Sequence, residues 1–138
     1  MTRRPAPPGG WPPPDRALLG GGTVRLAPLA NEIADRYFER HPEDLERYGE
    51  AARDWEVHDT LYLLNWAIGD VEGHADLSKQ VGWLAGVLEA RGFPLDHLAS
   101  NLDLAADVSA ERIGGGAAVA ERLRSAAALV RERPTFLQ

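Results

Sequence analysis

The fold is decided by residues 77–108, which read LSKQVGWLAGVLEARGFPLDHLASNLDLAADV. Apolar residues recur there at steps of three and four on both sides of a break at Gly92 and Pro94, and this is the period of an amphipathic helix. The first half predicts a helix over about residues 76–90, whose apolar stripe consists of Leu77, Val81, Leu84 and Leu88. The second half predicts a helix over about residues 95–108, whose apolar face consists of Leu95, Leu98, Leu102 and Ala105. Since each helix must bury one face, the stretch predicts helices packed against other helices.

The same period continues in both directions along the chain. It predicts a first helix from about Leu26 to Arg40, which ends at His41-Pro42 because the residue before a proline avoids the α region, and a short helix that Pro42 opens. Further helices are predicted over about residues 51–68 and 117–131. No segment alternates apolar and polar residues in the manner of a strand, so we expect no sheet. The prediction is one all-α domain over residues 23–138, with five to six helices.

Residues 1–22 differ from the rest of the chain because they are rich in proline and glycine. Proline removes backbone donors and glycine adds unfolded-state entropy, so we expect a disordered arm. Within the arm, residues 3–8 suit either a polyproline ligand for an aromatic groove or a solvated tail, and Trp11 is a side chain that could dock on the body. We expect that deleting residues 1–22 changes the melting temperature by no more than about a degree or two.

Composition excludes several classes of protein. The chain has no cysteine, which removes disulfides, thiolate metal ligands and thiol nucleophiles. It has no apolar run of about 18 residues and no signal peptide, so we expect no membrane partner and a cytoplasmic location. The net charge is −6, and because residues 1–25 hold four arginines against one aspartate, the remaining residues carry −9. Such an acidic body disfavours nucleic acid as a partner.

The four histidines, at positions 41, 58, 74 and 97, have the spacing of no common metal site. No Glu-x-x-His pair suits a di-iron helix bundle, and no two histidines lie one helical turn apart as in zinc hydrolases. His41 is expected at a helix end, and His74 and His97 are expected in exposed polar turns. Because no nucleophile or acid–base pair stands out, we expect no catalytic residue, no metal, no cofactor and no enzymatic activity.

The candidate ligand-binding residues lie on two helices. His58 follows Asp54 by four residues, so it either lines a pocket and is tuned by that carboxylate or forms an ordinary surface pair. Large aromatic side chains both fill cores and line pockets, and three tryptophans fall at core-facing or near-core positions of the helical pattern. The candidate set is Trp55, His58, Tyr62, Trp66, Trp83 and Leu88.

Two segments of the chain resemble globins. Residues 34–45, ADRYFERHPEDL, are similar to the corner at which the second helix of bacterial globins runs into His-Pro-Glu. Residues 88–98, LEARGFPLDHL, followed by Leu102, resemble the junction between the globin haem-ligand helix and the next helix. The long helix between them takes the place of the distal helix, which implies that His58 lies near the distal side. The resemblance covers about residues 26–131 and implies a globin-like fold.

The sequence departs from globins at the residue that binds iron. Globins carry the proximal histidine about four residues before the glycine of the junction, and Leu88 stands there. Since leucine has no lone pair for iron, the chain resembles the non-haem globin-like sensor domains of bacterial signalling proteins. Asp59-Thr60, Tyr62, Trp83 and residues 90–94 are also similar to helical segments of bacterial cobalamin-binding regulators.

The resemblance implies a non-enzymatic regulatory or sensor domain that acts through self-association or through a signalling protein partner. The alternative is a pocket protein that binds an apolar or tetrapyrrole-type ligand against the tryptophans. Non-haem sensors of this kind usually pair through helices near the chain ends, which implies a homodimer through the last helix, alone or together with the helix over residues 95–108. In that helix Leu123, Ala127 and Val130 form a stripe, and Ala120 and Ala126 are expected to leave a shallow apolar patch beside it.

Hemin added to the purified protein should give no sharp, stoichiometric Soret band, because Leu88 occupies the position of the iron ligand. An absorbance titration measures this. The prediction fails if a tight complex forms and is lost on replacement of His58 or His74, since another histidine would then bind the iron.

Overall fold

The computed structural model describes residues 13–137. That part of the chain contains six helices preceded by a hairpin of two short strands: β1 (Arg16–Leu19), β2 (Gly22–Arg25), α1 (Leu26–Arg40), α2 (Glu43–Tyr48), α3 (Ala51–Glu72), α4 (Leu77–Ala90), α5 (Leu95–Arg112) and α6 (Ala117–Glu132). The prediction of an all-α domain with five to six helices is confirmed.

The prediction that the chain forms no sheet is wrong, because β1 and β2 pair antiparallel, with Leu19 opposite Gly22. The connecting residues Gly20 and Gly21 have φ angles of 58° and 82°, a backbone conformation that glycine adopts without strain and that suits a tight hairpin. Each strand has only four residues, so an alternating pattern is too short to recognise. Ala17 and Leu19 also pack against the helical core, which fixes the hairpin to the domain.

This hairpin takes up residues 16–22 of the predicted disordered arm. Residues 1–12, which include the proposed polyproline segment and Trp11, lie outside the described residues. Deletion of residues 1–22 would remove β1 together with the core contacts of Ala17 and Leu19. We therefore expect that deletion to lower the melting temperature, contrary to the expectation from composition.

Two helices run farther than their apolar pattern predicts. α3 ends at Glu72 rather than near Ile68, and it stops where Gly73 takes a left-handed conformation with a φ angle of 89°. Polar contacts hold this last turn, since the Asp70 carboxylate accepts hydrogen bonds from the Leu77 backbone amide at 2.8 Å and from Arg122 Nε at 2.8 Å. α5 likewise continues beyond Val108 to Arg112.

The core is built around α5, which packs most extensively on α6 and also on α1. Its alanines at positions 99, 105 and 106 are fully buried, and their small side chains let the neighbouring helices come close. Together with these alanines, large apolar side chains from α5 and from its neighbours are completely buried, namely Leu26, Ile33, Leu63, Leu64, Leu102 and Leu123. A central α5 means that polar residues on this helix face other helices rather than solvent.

The predicted apolar surface patch on α6 is absent. Ala120 is 0% exposed and Ala126 is 1% exposed, because both lie in the core with Leu123. These alanines were expected to flank a narrow apolar stripe. In the structure α6 packs on α3 and α4 as well as on α5, so it buries a wider face. A homodimer contact through Ala120 and Ala126 is therefore wrong.

Gly116→Ala should lower the free energy of unfolding by about 1–3 kcal/mol, as overpacking typically does. A Cβ atom there would lie 2.1 Å from the Ser109 carbonyl oxygen and 2.9 Å from that of Ile113, and backbone atoms cannot move aside cheaply. Gly114→Ala is the matched control, because a Cβ atom there would meet nothing within 4 Å. Chemical denaturation of both variants checks the difference, and equal stabilities would contradict this account of the α5–α6 turn.

Candidate functional site

A small polar cavity lies where α1, α2, α3 and α5 meet. Its volume is about 30 Å³, and it is lined by Tyr37, Phe38, Asp44, Tyr48, Ala52, Glu56, Asp59, Leu63, Leu88, Phe93, His97, Leu98 and Asn101. Space of that size holds about one water molecule. Its walls combine aromatic rings with carboxyl and amide groups.

The Asp44 carboxylate is the centre of the polar wall. It is 2% exposed, and its Oδ2 atom accepts hydrogen bonds from the Tyr37 hydroxyl and from His97 Nδ1, which is 3.0 Å away. Burial and the neighbouring Asp44 raise the pKa of Tyr37 far above its ordinary range, so this hydroxyl stays protonated and acts as a donor. One carboxylate oxygen therefore joins α1, α2 and α5.

His41 and His97 lie side by side at the outer edge of the cavity, with their ring centroids 4.1 Å apart. His41 is the C-cap residue of α1, as expected for a helix end, and burial and the adjacent His97 lower its pKa. His97 lies in the first turn of α5, and its side chain is only 18% exposed. The expectation that His97 occupies an exposed turn is wrong, because α2 folds back over the start of α5 and covers the ring.

A second polar chain crosses the cavity from α3 to α5. Asn101 Nδ2 donates to Thr60 Oγ1 at 3.1 Å, and Thr60 Oγ1 donates to the Glu56 carboxyl at 3.0 Å. Burial raises the pKa of Glu56 well above its ordinary value, while the hydrogen bond from Thr60 opposes that shift. Glu56 is partly buried by accessible surface, and the raised pKa favours the protonated form of its carboxyl group.

Two buried oxygen atoms, Oδ1 of Asp44 and Oδ1 of Asn101, have no hydrogen-bond partner within residues 13–137. A buried acceptor without a donor is costly, so such atoms favour a polar guest beside them. Both residues line the cavity. Its size and lining therefore suit a water-sized hydrogen-bond donor and not a large apolar molecule.

The predicted ligand-binding residues do not form one pocket. Trp55, His58, Tyr62 and Trp66 make a partly buried row along one side of α3, with successive ring centroids 5.3, 5.2 and 5.7 Å apart. His58 Nδ1 lies 3.1 Å from Asp59 Oδ1. The histidine therefore pairs with the next residue in the sequence and not with Asp54, as one interpretation had predicted. Of the six predicted residues, only Leu88 lines the polar cavity, and it is 4% exposed.

Trp83 is 63% exposed, so its prediction as a core-facing or near-core residue is wrong. It borders an open groove of about 640 Å³ between α4 and the segment 133–137, lined by Ser78, Lys79, Gly82, Trp83, Gly86, Val87, Ala90, Arg133, Phe136 and Leu137. We call this surface the Trp83 groove. Phe136 covers the glycines beside Trp83 but leaves the indole itself uncovered.

The segment 133–137 is held on α4 by Glu89. The Glu89 carboxylate accepts hydrogen bonds from the Phe136 backbone amide at 2.7 Å and from the Thr135 hydroxyl at 2.6 Å, and these bonds lower its pKa. Phe136 is thereby placed across Gly86, where an added Cβ atom would lie 3.1 Å from the Phe136 carbonyl oxygen. Glycine at this position allows the close approach that forms the floor of the groove.

Ser100, His41 and Glu43 have the connectivity of a catalytic triad. Ser100 Oγ lies 2.9 Å from His41 Nε2, and His41 Nδ1 lies 3.4 Å from Glu43 Oε1. Ser100 is however buried within α5, and the amides that follow it are bonded inside the helix. Because those amides cannot form an oxyanion hole, the arrangement does not favour acyl transfer.

Comparison of the chain with protein-family models, with curated proteins and with solved structures finds no match. The class that the structure defines is an all-α domain, and membership of a globin-like family stays a prediction. None of the helices within the described residues has the length and apolar composition needed to span a bilayer.

Glu56→Gln should stabilise the domain at alkaline pH. The pKa of Glu56 is raised in the folded state, so ionisation of this group opposes folding increasingly as pH rises above its unfolded value of about 4.3. We expect a gain in the free energy of unfolding on the order of 1 kcal/mol at pH 8 that disappears near pH 4. Denaturation across this pH range measures it.

The control is Glu121→Gln, which removes an exposed carboxylate on α6. Its stability should follow that of the wild type at every pH to within about 0.5 kcal/mol. If Glu56→Gln also follows the wild type, then the Glu56 carboxyl is solvated and its pKa is not raised.

Proposed function

We propose that this chain is a non-enzymatic regulatory domain that acts by self-association through the Trp83 groove. The observation that carries the proposal is the 63% exposure of Trp83 beside an open groove. Tryptophan is the side chain most enriched at the centres of protein interfaces, because its ring buries a large apolar area when a partner covers it. A free indole beside a groove is therefore a feature of a partner-binding surface.

An indole beside a groove is the arrangement that a self-complementary surface requires. A two-fold pair requires one patch to contact the same patch on the other copy, so a protruding group and a matching recess must lie side by side. Trp83 is the protruding group, and the recess beside it has an apolar floor formed by Gly82, Gly86 and Phe136. Its open volume of about 640 Å³ exceeds the size of an indole ring.

Exposed apolar groups extend this surface on both sides. Leu137 is 49% exposed at one edge, and Val87 and Ala90 follow Trp83 along α4. Lys79 and Arg133 also line the groove, and the Arg133 guanidinium lies 4.5 Å from the centroid of the Phe136 ring. Charged groups beside an apolar centre are common in protein interfaces.

The alternative of an apolar or tetrapyrrole ligand has less support from the geometry. Pockets for molecules of that size have volumes of roughly 300–1,000 Å³ and enclose most of the ligand. The polar cavity has only about 30 Å³, and the Trp83 groove reaches about 640 Å³ but is open to solvent. The cavity walls also carry Asp44, Glu56 and Asn101, which would lose hydrogen bonds against an apolar guest.

Sedimentation of the full chain at micromolar concentrations tests the proposal. The wild type should form a species of twice 15.0 kDa, and Trp83→Gln should weaken the dimer at least about tenfold, the effect of losing one interface anchor. Leu18→Gln is the matched control, because Leu18 is 64% exposed but lies on the hairpin. It should leave the dimer unchanged.

Two outcomes overturn the proposal. A wild type that sediments as a monomer at all concentrations removes self-association, and the signalling partner then becomes the leading hypothesis for the same groove. A dimer that Trp83→Gln and Leu18→Gln leave equally intact shows that pairing uses another surface. Ala126→Glu is unsuitable for this test, since it places a charge in the core and would unfold the domain.

A further inference from the structure

The geometry points to a binding site for a divalent cation of the zinc type, held by His41, Glu43 and His97. These residues come from the end of α1, the first turn of α2 and the first turn of α5. The site lies outside the Trp83 groove, so it adds a ligand to the proposed function and does not depend on it.

The three ligand atoms lie close to one another. His41 Nδ1 lies 3.4 Å and His97 Nε2 lies 3.7 Å from Oε1 of Glu43, and all three atoms lie within 4.8 Å of one another. Zinc binds histidine nitrogen and carboxylate oxygen at about 2.0–2.2 Å, so its ligand atoms lie a little over 3 Å apart in a tetrahedral site. The two imidazole rings lie against each other with an interplanar angle of 32°, so one ring must turn before both in-plane lone pairs meet at one ion.

The opposite nitrogen of each ring is already held by a second group. His97 Nδ1 lies 3.0 Å from Asp44 Oδ2, and His41 Nε2 lies 2.9 Å from Ser100 Oγ. When His97 donates the Nδ1 proton to the Asp44 carboxylate, the lone pair of its Nε2 atom faces Glu43. Metal-binding histidines in proteins are oriented in this way by a carboxylate or another acceptor on the far nitrogen.

Ser100 completes the same arrangement at His41. In the tautomer with the proton on Nε2, His41 donates to the Ser100 hydroxyl, and the lone pair of Nδ1 then faces Glu43. Asp44 and Ser100 are 2% and 8% exposed, so both orienting groups are fixed by the packing of the domain. A buried hydrogen-bond partner on the far nitrogen of each ring distinguishes this cluster from a chance meeting of surface side chains.

The donor set selects the class of cation. Two imidazoles and one carboxylate suit zinc and neighbouring transition metals, whereas calcium and magnesium prefer oxygen ligands alone. The histidine side chains are 13% and 18% exposed, and Glu43 is 55% exposed, so the cation has a path from solvent. Three protein ligands leave a fourth position for water or for a small ligand.

Cobalt(II) is the probe, because its visible absorption reports the geometry of nitrogen and oxygen ligands at a zinc-type site. The full chain, freed of any affinity tag and of bound metal, should bind one equivalent of Co²⁺ with a visible band that Zn²⁺ abolishes. Zn²⁺ should also raise the melting temperature by several degrees, since it would join α1, α2 and α5 in the folded state only.

Variants assign the ligands. His41→Gln, His97→Gln and Glu43→Gln should each weaken Co²⁺ binding at least about tenfold, because each removes one donor. His58→Gln and Glu46→Gln are the matched controls, since they remove a histidine and a carboxylate outside the cluster, and they should bind as the wild type does. Circular dichroism verifies that each variant is folded. If His97→Gln unfolds, Glu43→Gln still tests the site, because the Glu43 side chain is exposed and its replacement should leave the domain folded.

The proposal is overturned if the wild type shows no visible band and no thermal shift with saturating Co²⁺ or Zn²⁺. It is also overturned if folded Glu43→Gln and His41→Gln bind as tightly as the two controls. Equal stabilisation by Mg²⁺ and Zn²⁺ would contradict the assignment of the cation class, since it would indicate nonspecific binding to carboxylates.

Discussion

Burial of the Asp44 carboxylate is the constraint on which the rest of this region depends. A buried carboxylate is destabilising unless it is paired and hydrogen-bonded, and here the Tyr37 hydroxyl and the His97 ring both contact one of its oxygens. The two donors lie on α1 and α5, so the need to satisfy one group in α2 sets the positions of all three helices. The short α2, with only six residues, would be marginal without that anchor.

The properties of the site follow from the same anchor. Orientation of His97 by Asp44 brings its other nitrogen towards Glu43 and next to His41, which itself ends α1 because Pro42 follows it. Behind the rings, the cavity stays small because α2 and the aromatic side chains close it from outside. The interior is thus polar and narrow on this side, which is why the proposed contact with a macromolecular partner uses the exposed Trp83 groove and not the cavity.

The helices could be predicted from the sequence because each carries its own apolar period, and α1, α4 and α6 end within about two residues of the predicted limits. The hairpin could not be predicted, since a strand of four residues is too short to show a recognisable alternation of apolar and polar residues. The site could not be predicted either, because His41 and His97 are far apart in sequence and come together only when the chain folds through α2. In the apolar pattern Trp83 flanks a buried stripe, so its position alone does not say whether it is covered. In the structure Phe136 packs on the glycines of α4 and leaves the Trp83 indole exposed. The rows of aromatic side chains on α3 were recognisable as a group, but periodicity alone does not say whether such a row borders a pocket.

The hydrogen bonds between Glu89 and the segment 133–137 fix the position of the carboxyl-terminal residues, and this would matter for a pair of these domains. The carboxyl-terminal segment borders the groove. Pairing through the Trp83 surface about a two-fold axis would therefore bring Leu137 of both copies close to the interface. Whatever is joined beyond that point on each copy would be held next to its twin for as long as the domains stay together. Association would then act by bringing the attached segments close together, without any conformational change inside either domain.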